Sequence, residues 1–131
     1  MKVVVAGSRG ITEYWKVETA LLAHWPNDSS PKHCDGELVT GGANGVDSNA
    51  EQFAEKHDIE CTLFDPYNAE ETATEYSYNQ YFGQAFLKRN EEMAEYGDRL
   101  IAVWDGESNG TRHMIDAMLD EGKPVHVSVQ N

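Results

Sequence analysis

The chain is 131 residues long with 40% hydrophobic and 10% aromatic residues, enough for one compact domain with a buried core, which excludes a disordered or fibrous protein. Ten basic against 23 acidic residues give a net charge of −13, spread over both halves of the chain. That surface argues against general nucleic-acid binding and against anionic membranes, since such affinity comes from Lys and Arg displacing counterions.

Val3–Ala6 is a continuous apolar run, the pattern of a strand buried on both faces, and it ends at Gly7-Ser8-Arg9-Gly10. Thr12 is placed to cap a helix in which Tyr14, Val17, Leu21 and Trp25 share a face, with Pro26 beyond its end. After a polar connection over Asn27–Gly36, Glu37–Thr40 reads as a second strand running into Gly41–Gly45. Val46, Ala50, Phe53, Ala54 and His57 then recur at helical spacing, and Ile59–Phe64 gives a third strand closed by Asp65-Pro66. Residues 67–80 hold Tyr67, Tyr76 and Tyr78 without a clear period. From about Tyr81 a helix runs to Tyr96 with Phe82, Phe86, Met93 and Tyr96 inward, and Gly97 stands where a helix C-cap belongs. Arg99–Trp104 is a fourth strand opening into a glycine-bearing loop, Asp105–Thr111. A helix with Met114, Ile115, Met118 and Leu119 toward the core follows and ends at Gly122, and Pro124–Val129 is the fifth strand.

Strands alternating with helices through short loops specify a single Rossmann-like three-layer α/β domain over 1–131, with a mostly parallel five-stranded sheet. In such sheets ligands bind beyond the carboxyl ends of the strands. Three glycine-bearing loops, Gly7–Gly10, Gly41–Gly45 and Gly106–Gly110, each lie between a strand and a helix, so three helix N-termini are expected to converge on an anionic ligand, most simply a phosphate. Neither GxGxxG after the first strand nor GxxxxGK[ST] is present, which removes the usual support for a dinucleotide oxidoreductase or a P-loop NTPase.

Arg9 in the first loop and Arg89 on the helix before the fourth strand are either guanidinium forks for phosphate or surface ion pairs. Asp47 either binds a ribose hydroxyl or complements a helix N-terminus. Ser8 and Ser108 lack a GxSxG elbow and read as hydroxyl donors to phosphate, and Trp104 either stacks on a base or belongs to the core. The five histidines show no metal-ligand spacing, so neither a metal nor a cofactor is expected. Cys34 and Cys61 lack CxxC spacing and read as structural thiols of a reducing compartment. No apolar run approaches the ~20 residues of a membrane-spanning helix, and the chain begins in a strand rather than a leader, so the expected location is cytoplasmic with no membrane partner. Six lysines in so acidic a chain fit a halophilic proteome, in which concentrated salt screens self-repulsion.

Gly7-Ser8-Arg9, the run Thr40–Asp47, Phe82-Gly83 with Arg89–Met93, and Trp104–Thr111 together resemble the YspA-type (cpYpsA-related) branch of the SLOG superfamily, which also includes the Lonely Guy phosphoribohydrolases and the DNA-processing protein A family. The resemblance runs through nearly the whole chain in order. It implies a Rossmann-like domain that binds or senses a nucleotide or nucleotide-derived phosphate ligand, contacted by Ser8, Arg9, Gly41, Gly42, Asp47, Arg89, Asn90, Ser108, Gly110 and Thr111. It also implies a homo-oligomer, since short members are often dimers. Arg89–Met93 is similar to the Arg-Lys-x-x-Met helix of the Lonely Guy enzymes, so the alternative is a nucleoside-monophosphate phosphoribohydrolase with Arg89 in the catalytic site. Those enzymes carry a glutamate three residues past the loop threonine, where this chain has Met114.

Overall fold

A computed structural model describes residues 1–25, 36–42, 45–64 and 78–130, with side chains of the long third helix from Leu87 onward. The elements alternate: β1 (Lys2–Gly7), α1 (Tyr14–His24), β2 (Glu37–Thr40), α2 (Val46–Lys56), β3 (Glu60–Leu63), α3 (Tyr78–Tyr96), β4 (Arg99–Trp104), α4 (Asn109–Asp120) and β5 (Val125–Val129). The strands form one parallel sheet in the order β3-β2-β1-β4-β5. Its order reverses between β1 and β4, and this reversal fixes the crevice at their carboxyl ends. The tyrosines of 67–77, Cys34, Pro26, and the side chains of Phe82 and Phe86 lie outside the described residues.

The uninterrupted apolar strands follow from burial on both faces. Successive side chains point to opposite sides of a strand, so Val3, Val5, Leu38, Ile101 and Val103 meet Val17 and Leu21 of α1 and Ala50 and Phe53 of α2. Val4, Ala6, Val39, Leu100 and Ala102 turn the other way, onto Met93 and Ala94 of α3 and Met114 and Met118 of α4. No helix among the described residues is long and apolar enough to cross a membrane.

Two local expectations are corrected, and a third holds for a different reason. The N-cap of α1 is Glu13 rather than Thr12, with extended backbone and no side-chain cap bond, because the Glu13 carboxylate is engaged by Lys16 Nζ at 2.8 Å. Gly97 does stand directly after α3, its N–H donating to Met93 O at 2.8 Å, and a Cβ there would lie 2.3 Å from Val4 Cγ2, so close passage over β1, not a left-handed φ, selects glycine. Leu119 is 57% exposed, since Thr111, Met114 and Met118 form the inward stripe of α4 and Leu119 is rotated ~100° past Met118.

On the α1 side, the His126 ring of β5 stacks on His24 at a centroid distance of 4.9 Å. Burial, then the neighbouring His24 and Arg99, push the pKa of His126 below the ordinary histidine value. A folded-state value below the unfolded one means that the unfolded chain binds more protons near and below pH 6.5. Stability is therefore expected to fall as pH drops from 7 through that window, and His126→Phe should flatten the fall in melting temperature. An unchanged pH profile in the variant would rule out His126 as its source.

Candidate functional site

Ser8 ties together the loops at the carboxyl edge. Its N–H donates to Val103 O of β4 at 3.1 Å, and its carbonyl accepts from Ile11 N at 3.2 Å and from Val46 N of α2 at 3.4 Å. Its Oγ accepts the Asp105 N–H at 3.0 Å. Because Ser8 is 1% exposed, these bonds sit in a protected interior and hold the first, second and fourth strand ends in one frame. The second loop enters α2 through Gly45, whose φ of 78° and ψ of −121° lie where only glycine is at ease.

The third loop is held by Asp105. Its Oδ1 accepts N–H groups from Glu107 and Ser108, both at 2.8 Å, and those bonds, Glu107 first, hold the carboxyl below the usual carboxylate range. Trp104 Nε1 donates to Ser108 O at 3.0 Å. At the far wall, Arg89 donates from Nη1 to Gly41 O and from Nη2 to Asn90 Oδ1, each at 3.1 Å. The Nδ2 of Asn90, a residue 3% exposed, reaches Gly110 O at 3.4 Å and His113 Nδ1 at 3.1 Å. A polar chain thus links the end of β2, through α3, to the first turn of α4.

These elements enclose a cleft of about 480 Å³, within the ~300–1,000 Å³ typical of small-molecule sites. Of the ten residues singled out from sequence, Ser8, Arg9, Asp47, Arg89, Asn90, Ser108, Gly110 and Thr111 line it. Gly41 and Gly42 do not: Gly41 stands behind the Arg89 head, and Gly42 packs over Leu63 of β3. The first turns of α2 and α4 border the cleft through Asp47, Gly110 and Thr111, but nothing in the first turn of α1 does, so two helix N-termini converge there rather than three. The N-caps Gly45 and Ser108 make no side-chain cap bond.

Leu87 and Met93 also form part of the lining. The sequence signal for Met93 was its helical spacing, which marks an inward position without separating core from cleft wall. Met114, 1% exposed, lines the cleft where the Lonely Guy pattern has its glutamate. Among the described residues no group of three or more His, Cys, Asp or Glu is arranged to hold a metal ion.

A five-stranded parallel sheet flanked by helices, with a cleft at its switch point, defines a Rossmann-like α/β protein. The family model of the YspA, cpYpsA-related SLOG family (YAcAr) matches residues 1–69, the stretch holding β1 to β3 and the first two glycine loops, and the chain belongs to that family. No curated protein matches it. Among solved structures, the fold is similar to DNA processing protein A from Helicobacter pylori, with a TM-score of 0.68 and 23% identity over 100% of this chain and 66% of that one. It is also similar to DNA processing protein A (DprA) from Streptococcus pneumoniae, with a TM-score of 0.71 and 19% identity over 96% of this chain and 49% of that one. The chain therefore spans about two thirds and about half of those structures.

The Helicobacter protein has a single-stranded DNA binding mode. That finding overturns the exclusion of nucleic acid drawn from the charge of −13. Counterion release depends on the cations at the contact, not on the sum over the surface, and here Arg9 and Arg89 stand at one edge.

Proposed function

We propose that the cleft binds a nucleotide or nucleotide-derived phosphate ligand, and that the protein acts as a ligand-responsive binding module. The observation that carries this reading is the convergence of Arg9, Arg89 and the first turns of α2 and α4 on one cleft, since guanidinium forks and helix N-termini are both suited to phosphate oxygens. In this reading Asp47, 5% exposed at the start of α2, accepts from ribose hydroxyls. Family membership supports a nucleotide-related role.

Single-stranded DNA is the second reading, favoured by the binding mode of the Helicobacter neighbour. It shares the same chemistry, a phosphate against the two arginines. Hydrolysis of a nucleoside monophosphate is less well supported. Met114 supplies no proton-transfer group, and the Asp105 carboxylate is engaged by the Glu107 and Ser108 N–H groups.

The test is thermal denaturation against mononucleotides, ADP-ribose and short oligodeoxynucleotides, with free base assayed in parallel. A ligand present at a hundredfold its Kd should stabilise by about 2.7 kcal/mol, and Arg9→Ala should remove most of the shift. A mononucleotide shift supports the first reading, and a shift confined to oligonucleotides supports the second. Silence across the set would overturn both.

Salt adaptation belongs to the same proposal. Carboxylate self-repulsion is relieved as the Debye length contracts from about 30 Å at 0.01 M to about 3 Å at 1 M, so the melting temperature should rise between dilute buffer and molar potassium chloride. A flat or falling response would remove that part of the reading.

A further inference from the structure

The side-chain amide of Asn90 has only one orientation open to it. Arg89 Nη2 stands 3.1 Å from its Oδ1, and Gly110 O stands 3.4 Å from its Nδ2. A guanidinium has donors and no acceptor, and a carbonyl only accepts. Turning the amide over would therefore set donor against donor at Arg89 and acceptor against acceptor at Gly110. Nδ2 is thereby committed as a donor toward its third neighbour, His113 Nδ1 at 3.1 Å. That ring nitrogen must present a lone pair, which leaves the proton of a neutral imidazole on Nε2. The tautomer of a histidine on α4 is thus dictated by an arginine on α3.

His113 is not part of the cleft lining. It borders a separate hollow of about 280 Å³ between α3 and α4, shared with Glu91 and Glu95 of α3 and with Asp116, Asp120 and Glu121 at the far end of α4. The remaining charged group of its surroundings is Arg89, reached through Asn90.

We infer that His113 is a positioning residue for Arg89, acting through Asn90: as a neutral ring it accepts from the amide and holds the guanidinium at the cleft wall, and protonated at Nδ1 it releases it. An imidazolium has two N–H donors and no acceptor, so Nδ1–H would meet the Nδ2–H of Asn90. The amide, on a residue only 3% exposed, must then turn over or withdraw from the ring, and either movement disturbs its bond to Arg89 Nη2. The consequence for binding rests on the phosphate reading of the cleft. Affinity for a phosphate-bearing ligand falls as His113 takes up its proton, and by linkage the ligand favours the neutral ring. The sign is diagnostic, because an imidazolium acting only as a nearby positive charge would strengthen the binding of an anion.

The first part of the test needs no ligand. In the parent chain the ring-nitrogen resonances at about pH 8 should show a bare Nδ1 and a protonated Nε2, and the Cζ resonance of Arg89 should move as His113 titrates toward about pH 5.5. His113→Gln offers a permanent carbonyl acceptor to Asn90, and in that variant the movement should vanish. An Nδ1–H tautomer, or an Arg89 signal indifferent to protonation of His113, would overturn the proposal. Both are read on the parent, even if the variant proves unfolded by circular dichroism. Calorimetry with ADP-ribose follows, because its phosphates form a pyrophosphate diester and keep their charge over this range. At the lower pH the parent should lose about three- to tenfold more affinity than His113→Gln, the scale of one hydrogen bond. Equal pH dependence in the two proteins, or tightening of the parent relative to the variant, would also overturn it. If ADP-ribose binds neither protein at either pH, the phosphate reading fails for this ligand, and the Arg89 signal decides the role of His113 by itself.

Discussion

Gly45→Ala is expected to destabilise the fold by on the order of 3–5 kcal/mol. Two costs act together. The backbone there has φ 78° and ψ −121°, a conformation that costs an L-residue about 1–3 kcal/mol. A Cβ would also stand 2.4 Å from Arg9 O and 2.7 Å from Ser8 O. Both atoms are backbone, and Ser8 O is the acceptor for Ile11 and Val46, so relief requires opening the frame of the cleft, at a further ~1–3 kcal/mol for overpacking. Against a total stability of about 5–15 kcal/mol, melting followed by circular dichroism should fall by roughly 10–20 °C. Gly10→Ala is the control, because nothing lies within 4 Å of a Cβ there and its φ is not left-handed. It should stay within about 1 kcal/mol of the parent. Equal melting of the two variants would show that the loop yields more easily than its geometry implies.

Arg89→Ala is expected to weaken the binding of a phosphate-bearing nucleotide by on the order of 10²- to 10³-fold, the scale of truncating one partner in a desolvated charge pair. The head of Arg89 is oriented by Gly41 O on one side and Asn90 Oδ1 on the other, which restricts the side chain before any ligand arrives. Arg89→Lys keeps the charge but not the planar fork, and should recover part of the affinity and not all of it. Titration calorimetry of the three proteins with the tightest mononucleotide reads this directly. Equal affinity in Arg89→Ala would place the phosphate elsewhere. Full recovery in Arg89→Lys would make the fork irrelevant.

The strands at the centre of the sheet were legible because both their faces are buried: Val3–Ala6 and Leu100–Val103 are apolar at every position. The glycine loops were legible because a strand that ends abruptly in glycine before a helix leaves few alternatives. The bond from Arg89 to the Gly41 carbonyl was not, since it joins residues 48 apart in sequence and uses a backbone acceptor that carries no residue signature. Gly41 and Gly42, assigned by resemblance to the ligand, are not among the described residues that line the cleft, and the Gly41 carbonyl is the one taken by Arg89. Leu119 misled because periodicity marks a helical stripe without giving its width. Net charge does not by itself exclude nucleic acid, because it averages over a surface on which two of the four arginines line one cleft.

The indole of Trp104 has an optical consequence. Its Nε1 is bonded to the carbonyl of Ser108, the residue that opens α4 and borders the cleft, so any guest that rearranges that turn changes the surroundings of the ring. The other two tryptophans differ sharply in setting. Trp15 is 63% exposed on the outer side of α1, and Trp25 is 9% exposed against Phe53, so both lie outside the cleft and contribute a steady background. The protein thus carries its own fluorophore bonded to a residue that lines the cleft. Emission recorded without any label reports occupancy there, and Trp104→Phe identifies the part of the signal that comes from the loop.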